Sequence, residues 1–262
     1  MHPLTRRQPT VVHTIIIPKP AALSRQDISA SDSERERLHR QMLSSVSHDL
    51  KTPLASIIGA LEVLDRMKDK LSDDKKLDLS YIALREAYRL DNYITNILDM
   101  AKLENNMVKA KREKAEAGDI IRHCLKKMNN QLRDSKVNLK TSAQIDVLTD
   151  PVLLCRAICL VLDNAVHYGG APPAIDIDYG KDERDSCFIG VRDHGGGIAA
   201  ARMEIIFSKY TRFGKEDQQN AGTGLGLPIG RAIMNLLGGD ITAANHPDGG
   251  ALFTLRFPLQ GF

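Results

Sequence analysis

The sequence predicts an all-α helical hairpin followed by an α+β two-layer sandwich. Three observations carry that expectation. Two heptad-spaced apolar seams, with a short polar turn between them, lie between residues 43 and 101. After about residue 107 the pattern changes to short helical and strand-like runs. The two main downstream helical runs stop at glycine pairs, Gly169-Gly170 and Gly238-Gly239.

Composition narrows the class. At 262 residues the chain is long enough for one large or two ordinary domains. Its 42% hydrophobic and 26% charged residues fit a globular protein. A net charge of +3 is too small to argue for a nucleic-acid partner or a membrane surface. No apolar run approaches the roughly 20 residues of a membrane helix, so no membrane segment is expected in this chain, though a full-length form could be membrane-attached. Arg6 and Arg7 precede the apolar run Val11 to Ile17, but that run is short and lacks a small-residue cleavage site, which argues against a signal peptide. Cys124, Cys155, Cys159 and Cys187 form no CxxC pair and have no zinc-like His spacing. They are expected to be buried thiols in a reducing, cytoplasmic compartment.

Along the chain, residues 1–30 hold one strand-like run, Thr10 to Ile17, then Pro18 and Pro20, as in a linker or the remnant of an upstream domain. Ser31 and Glu34 have capping-box spacing and open the hairpin, residues 31–106. The first seam is Leu43, Val46, Leu50, Ile57, Ala60 and Leu64, with Pro53 in the intervening slot and Leu54 and Leu61 widening the stripe. Ser72-Asp73-Asp74 supplies a turn and a new N-cap. The second seam is Ala83, Ala87, Leu90, Ile94, Ile97 and Ala101. One hairpin has too little surface to bury both seams, so a homodimeric four-helix bundle is the economical solution. In this register His48 falls on an outward position and Thr52 shares its face. Asp49 lies toward the flank. Pro53 lacks the N–H that would bond the Asp49 carbonyl, which should loosen the helix just past His48.

In the second part, residues 107–262, helices are expected over Asp119 to Leu132, Asp150-Pro151 to Tyr168, and Leu227 to Leu237. Asp150 is an N-cap followed by Pro at the first helical position. Strands are expected near Lys136 to Ser142, Ile175 to Tyr179, Cys187 to Arg192, Asp240 to Ala244 and Ala251 to Phe257. Helices on one face of a mixed or antiparallel sheet complete the layering.

Three of its segments could meet around one ligand. Asp163 to Tyr168 ends a helix, where Asn164 offers a neutral amide oxygen suited to a hydrated Mg²⁺ and His167 could meet a phosphate. Asp193-His194-Gly195-Gly196-Gly197 follows a strand. A carboxylate there can accept from an exocyclic amine, and glycines let a flat ring approach the backbone. Gly222-Thr223-Gly224-Leu225-Gly226-Leu227 opens a helix and could leave backbone N–H groups free for phosphate. It is neither a Walker A motif nor a Rossmann fingerprint. Between the last two, Phe207, Lys209, Tyr210, Arg212 and Phe213 suggest a lid. Alone, each segment is equally readable as a helix end or a plain turn.

In this order the motifs resemble the transmitter region of sensor histidine kinases, over about residues 32 to 260. Ser47 to Leu54 is similar to the phosphoacceptor box and Asp163 to Tyr168 to the asparagine box. Asp193 to Gly197 and Gly222 to Leu227 are similar to the two glycine boxes, and Phe207 to Arg212 to the phenylalanine box. The phosphoacceptor box and linker suggest the potassium-sensing subgroup. The resemblance implies an ATP-binding domain of the histidine-kinase and chaperone ATPase type after the hairpin, with ATP and Mg²⁺ bound. His48 would receive the γ-phosphoryl group, Asp49 would hold its other ring nitrogen, and the acceptor would be an aspartate in a response regulator receiver domain. Asp49-x-x-Thr52 matches the family's phosphatase pattern, so both activities are expected. Asn164 would hold Mg²⁺ and Asp193 the adenine amine. His167, Tyr168, Gly195, Gly197, Lys209, Arg212, Gly222, Thr223, Gly224, Leu225 and Gly226 would line the nucleotide.

One position departs from the pattern. The family commonly has Asn four residues before Asn164, and related ATPases carry a water-activating Glu there; this chain has Leu160. The alternatives are an ATP-hydrolysing conformational switch, which Leu160 opposes, and a catalytically degenerate dimeric scaffold, which the intact His48, Asn164 and Asp193 oppose.

Overall fold

A computed structural model of the chain describes residues 46–47, 49–140, 144–183, 185–203, 205–209 and 224–260. The expected strand Thr10 to Ile17, the capping box at Ser31 and the first seam residue Leu43 lie outside the described residues, as does His48. The elements below belong to one compact unit, Ser47–Phe262.

Helix α1 (49–66) runs through Pro53 without interruption. Pro53 and Ala60 are buried, and Leu50, Ile57 and Leu64 half-buried, which is the expected seam. Helix α2 (Asp73–Glu104) starts where Ser72 Oγ accepts from Lys75 N, with Asp73 and Asp74 favourably placed in the first turn. Its inner stripe differs from the expected one. Ala83, Glu86, Tyr93 and Met100 are buried and Leu90 and Ile97 half-buried, whereas Ala87 and Ala101 are exposed and Ile94 is 45% exposed. The expected seam holds at Ala83, Leu90 and Ile97 and is one residue off at Ala87, Ile94 and Ala101, where Glu86, Tyr93 and Met100 are buried instead. Two of these three slots hold polar-tipped residues. Tyr93 is buried with its hydroxyl bonded to Asp49 of α1, and Glu86 is paired with Arg85 and Arg89. An apolar pattern cannot register either of them.

The second part begins with β1 (Glu113–Glu116), which pairs antiparallel with β3 (Asp146–Thr149) as a small two-stranded sheet. Both strands were missed; each is four residues long and carries charge. Helix α3 (Ala117–Lys127) is capped by Glu116, which accepts from Gly118 N and Asp119 N, so it starts before the expected Asp119 and ends before Leu132. The main sheet has strand order β2-β4-β5-β7-β6, with β2 (Lys136–Leu139) parallel to β4 (Ala174–Lys181). Strands β5 (Ser186–Asp193), β7 (Ala251–Pro258) and β6 (Asp240–Asn245) continue it antiparallel.

Register explains why one face of this sheet is core. Ile177, Val191 and Phe253 lie in one cross-strand row, and Tyr179, Ile189, Leu255 and Ile241 in the next. All seven are buried. Intervening residues such as Asp176 and Arg256 point to the less covered side. Helices α3, α4 (Pro151–Tyr168) and α6 (Gly226–Leu236) supply the covering layer, and one contiguous apolar cluster joins all of them. A single turn, α5 (Ala200–Met203), lies between β5 and α6.

Helix α4 is the central one. Among the described residues it alone is long and apolar enough to cross a membrane by length and composition, but half of it is buried inside the sandwich. Core helices share that composition. Its start is held by Asp150, whose Oδ1 accepts from Val152 N and Leu153 N, with Pro151 at the first position. Oδ2 of Asp150 also accepts from Lys111 N at 2.8 Å, tying the incoming chain to the helix. Arg156 joins this helix to the hairpin. Its Nε donates to Asp99 Oδ2 at 2.9 Å and its Nη2 to Asn96 Oδ1 at 2.7 Å.

Asp150→Ala should cost about 2 kcal/mol, the upper end of a lost N-cap, because it also orphans the Lys111 amide. Urea unfolding of the two forms measures it; a change below about 0.5 kcal/mol would show that the cap carries little.

Candidate active site

The site is built where α4 ends, β5 ends and α6 begins. Asp193 closes β5 and is 2% exposed. Its Oδ1 accepts from Gly195 N at 2.9 Å and from Ala251 N at 3.0 Å, so one oxygen braces both the glycine turn and the start of β7. Among the described residues Oδ2 takes no such bond, which leaves a carboxylate oxygen fixed in position and able to accept from an amine. The turn must press close to α4: a methyl at Gly195 would stand 1.8 Å from the Tyr168 carbonyl oxygen. Gly250 is equally constrained, with φ +81 and a would-be methyl 1.9 Å from the Asp193 carbonyl oxygen. Sequence reasoning did not single out Gly250, although the Asp248-Gly249-Gly250 turn signal was visible.

Across from this turn, Asn164 is half-buried on α4. Among the described residues its amide makes no hydrogen bond. A half-buried amide oxygen with no protein partner suits a cation that keeps part of its water shell, so the residues present fit Mg²⁺. His167 Nδ1 lies 2.7 Å from the Asp163 carbonyl oxygen. A carbonyl can only accept, so Nδ1 carries the proton and Nε2 remains for a ligand. Tyr168 is 50% exposed beside it.

The rim is stiffened by partners the motifs did not include, Asn245 and Asp176. Asn245, at the end of β6, accepts from Ile198 N at 2.7 Å and donates to Ile198 O at 2.8 Å, pinning the chain that leaves Gly197. His194 Nε2 lies 2.9 Å from Asp176 Oδ2. Burial pushes the Asp176 carboxyl up, but hydrogen bonds from His194 and Asn138 and the nearby His194 and Arg192 charges outweigh it and hold the group below the usual carboxylate range.

Other expected residues are placed differently. Leu225 is fully buried and anchors the start of α6 in the core, so only its backbone can face a ligand. Gly224 and Gly226 flank it, and α6 starts against α4 beside Leu160. Lys209 is ion-paired with Glu104 of α2. Phe207 is half-buried, with the Arg231 guanidinium 4.8 Å over its ring. A cavity of about 370 Å³, lined by Met100, Glu104, Phe207, Lys209 and Arg231, separates the end of α2 from α6. Arg212, Gly222 and Thr223 lie outside the described residues.

On the hairpin, Thr52 is exposed and Asp49 half-buried. Tyr93 of α2 donates its hydroxyl to Asp49 Oδ2 at 3.1 Å. Forty-four residues separate the pair, so no local motif could have revealed it.

Comparison with known proteins identifies two domains in the chain. The His Kinase A (phospho-acceptor) domain matches residues 38–106, and the histidine kinase-, DNA gyrase B-, and HSP90-like ATPase matches residues 149–261. Sensor protein KdpD of Escherichia coli is 32% identical over 247 residues, covering 91% of this chain and 27% of that protein. Sensor protein KdpD of Clostridium acetobutylicum is 28% identical, covering 98% of this chain and 29% of that protein. The chain thus spans less than a third of the length of these relatives. The histidine kinase ThkA, solved in complex with the response regulator protein TrrA, superposes with a TM-score of 0.63 at 22% identity, covering 92% of this chain and 68% of that one. At that identity the likeness concerns the fold. With a phospho-acceptor domain followed by an ATPase-type domain, the chain carries the two domains of a histidine kinase transmitter core.

Proposed function

We propose that this chain is the catalytic core of an ATP-dependent protein histidine kinase that phosphorylates His48 and passes the phosphoryl group to an aspartate of a response regulator receiver domain. The observation that carries the reading is the convergence of three elements. Asp193, braced under a glycine turn, meets the end of α4 with its unpartnered Asn164 amide and the glycine-flanked start of α6.

In this reading Asp193 Oδ2 accepts from the adenine amine, and Asn164 Oδ1 completes the shell of Mg²⁺. The metal ion, when bound, neutralises phosphate charge. His167, Tyr168, Lys209, Arg212 and the Gly222 to Gly226 segment line the phosphates. A ring nitrogen of His48 forms the new bond to phosphorus as the bond to the ADP oxygen breaks. Asp49 accepts from the other ring nitrogen and stabilises the developing imidazolium charge. Tyr93 fixes the Asp49 carboxylate for that task. Most of the rate comes from positioning and charge neutralisation, as in other phosphoryl transfers. Thr52, exposed one turn beyond His48, orients the water that removes phosphate from the regulator. Leu160 is buried, with no group to activate water, which disfavours an ATP-hydrolysing switch.

The exposed apolar stripe fits a homodimer. Leu54, Ile58 and Leu61 on α1, and Leu77, Tyr81, Leu84, Tyr88, Ile94 and Leu98 on α2, are each at least 45% exposed. A second hairpin would cover them and close a four-helix bundle. A core that consumes ATP and phosphorylates a regulator works on the cytoplasmic side.

Incubation with γ-labelled ATP and Mg²⁺ should give acid-labile, alkali-stable label on the wild type and none on His48→Ala or Asn164→Ala. Phosphate release that survives His48→Ala would instead point to an ATPase. Tyr93→Phe should slow labelling about fivefold, the worth of one hydrogen bond, with nucleotide affinity unchanged. Thr52→Ala should keep autophosphorylation but prolong the lifetime of the phosphorylated regulator, read by the decay of its label.

A further inference from the structure

Three of the four cysteines meet at one place. Cys155 and Cys159 are one turn apart on α4, and Cys124 faces them from α3. The Sγ atoms of Cys155 and Cys159 are 3.9 Å apart, and all three sulfurs lie within 4.8 Å of one another. Cys124 also donates its S–H to the Cys155 carbonyl at 3.6 Å. We propose that Cys124, Cys155 and Cys159 form a three-thiolate binding site for a soft monovalent cation, Cu(I).

The geometry favours this class of ion. A metal–sulfur bond of about 2.3 Å in a trigonal plane sets three sulfurs about 4 Å apart, so the cluster needs little contraction. Structural zinc asks for a fourth ligand and iron–sulfur clusters for four cysteines. Among the described residues the cluster offers three sulfurs and no further His, Asp or Glu. Thiolates select Cu(I) among available ions. Cys124 is fully buried, while Cys155 at 5% and Cys159 at 8% exposure leave a narrow approach.

On binding, each thiol releases its proton to solvent as its sulfur–copper bond forms, and copper keeps its oxidation state. The bound ion would cross-link α3 to α4 within the layer that carries Asn164.

Anaerobic titration of the reduced full chain with Cu(I), against a Cu(I) chelator, tests the site. One copper per chain is expected, with thiolate-to-copper absorption in the ultraviolet. Cys124→Ser and Cys159→Ser should each weaken binding at least about tenfold, while Cys187→Ser should not. X-ray absorption at the copper edge of the wild type should report three sulfur neighbours, a readout that does not depend on the variants folding. Absence of saturable uptake, a sulfur number other than three, or equal loss in Cys187→Ser would overturn the proposal.

Discussion

The second half of the molecule is organised by one buried carboxylate oxygen. Oδ1 of Asp193 takes hydrogen bonds from Gly195 and Ala251, groups far apart in sequence. A buried charge without such partners would be costly, and a buried amide without an acceptor likewise. The two penalties cancel only in this arrangement. It sets the end of β5, the turn after it and the entry of β7 in one place. Beside it the chain packs backbone on backbone: a side chain at Gly195 would strike the Tyr168 carbonyl oxygen, and one at Gly250 the Asp193 carbonyl oxygen.

Most of the sandwich could be read from the sequence because its signals are local. Asp150-Pro151 and Gly169 mark the two ends of α4, and the caps are formed as that pattern requires. The alternation in β4, β5 and β7 matches their buried rows. Elements stabilised from outside were not legible. Strands β1 and β3 are too short and too charged to show a period, and pairing with each other holds them extended. The inner stripe of α2 was misread at Glu86 and Tyr93, because salt bridging and a hydroxyl tip let polar residues occupy core slots.

The same division applies to the site. Asn164, Asp193 and the glycines were singled out by residue type and order, and the fold brings the Asp193 turn against the end of α4. Tyr93, Asn245 and the Asp176–His194 pair were not singled out, since each acts through a partner distant in the chain. Polar residues that brace a site carry no motif of their own. Their role lies in a contact that only folding creates.

The Arg156 contacts have a mechanical meaning. Arg156 sits near one end of α4 and is gripped by Asp99 and Asn96 of the hairpin; Asn164 sits eight residues further along the same helix. That separation is about 12 Å of helical rod. A rod this short, jacketed on several sides by core, hardly bends. While the grip holds, the hairpin cannot tilt or twist at that level without carrying the Asn164 end of α4 with it. Helix α4 is thus an axle shared by two machines, and the motion of either is geared to the other.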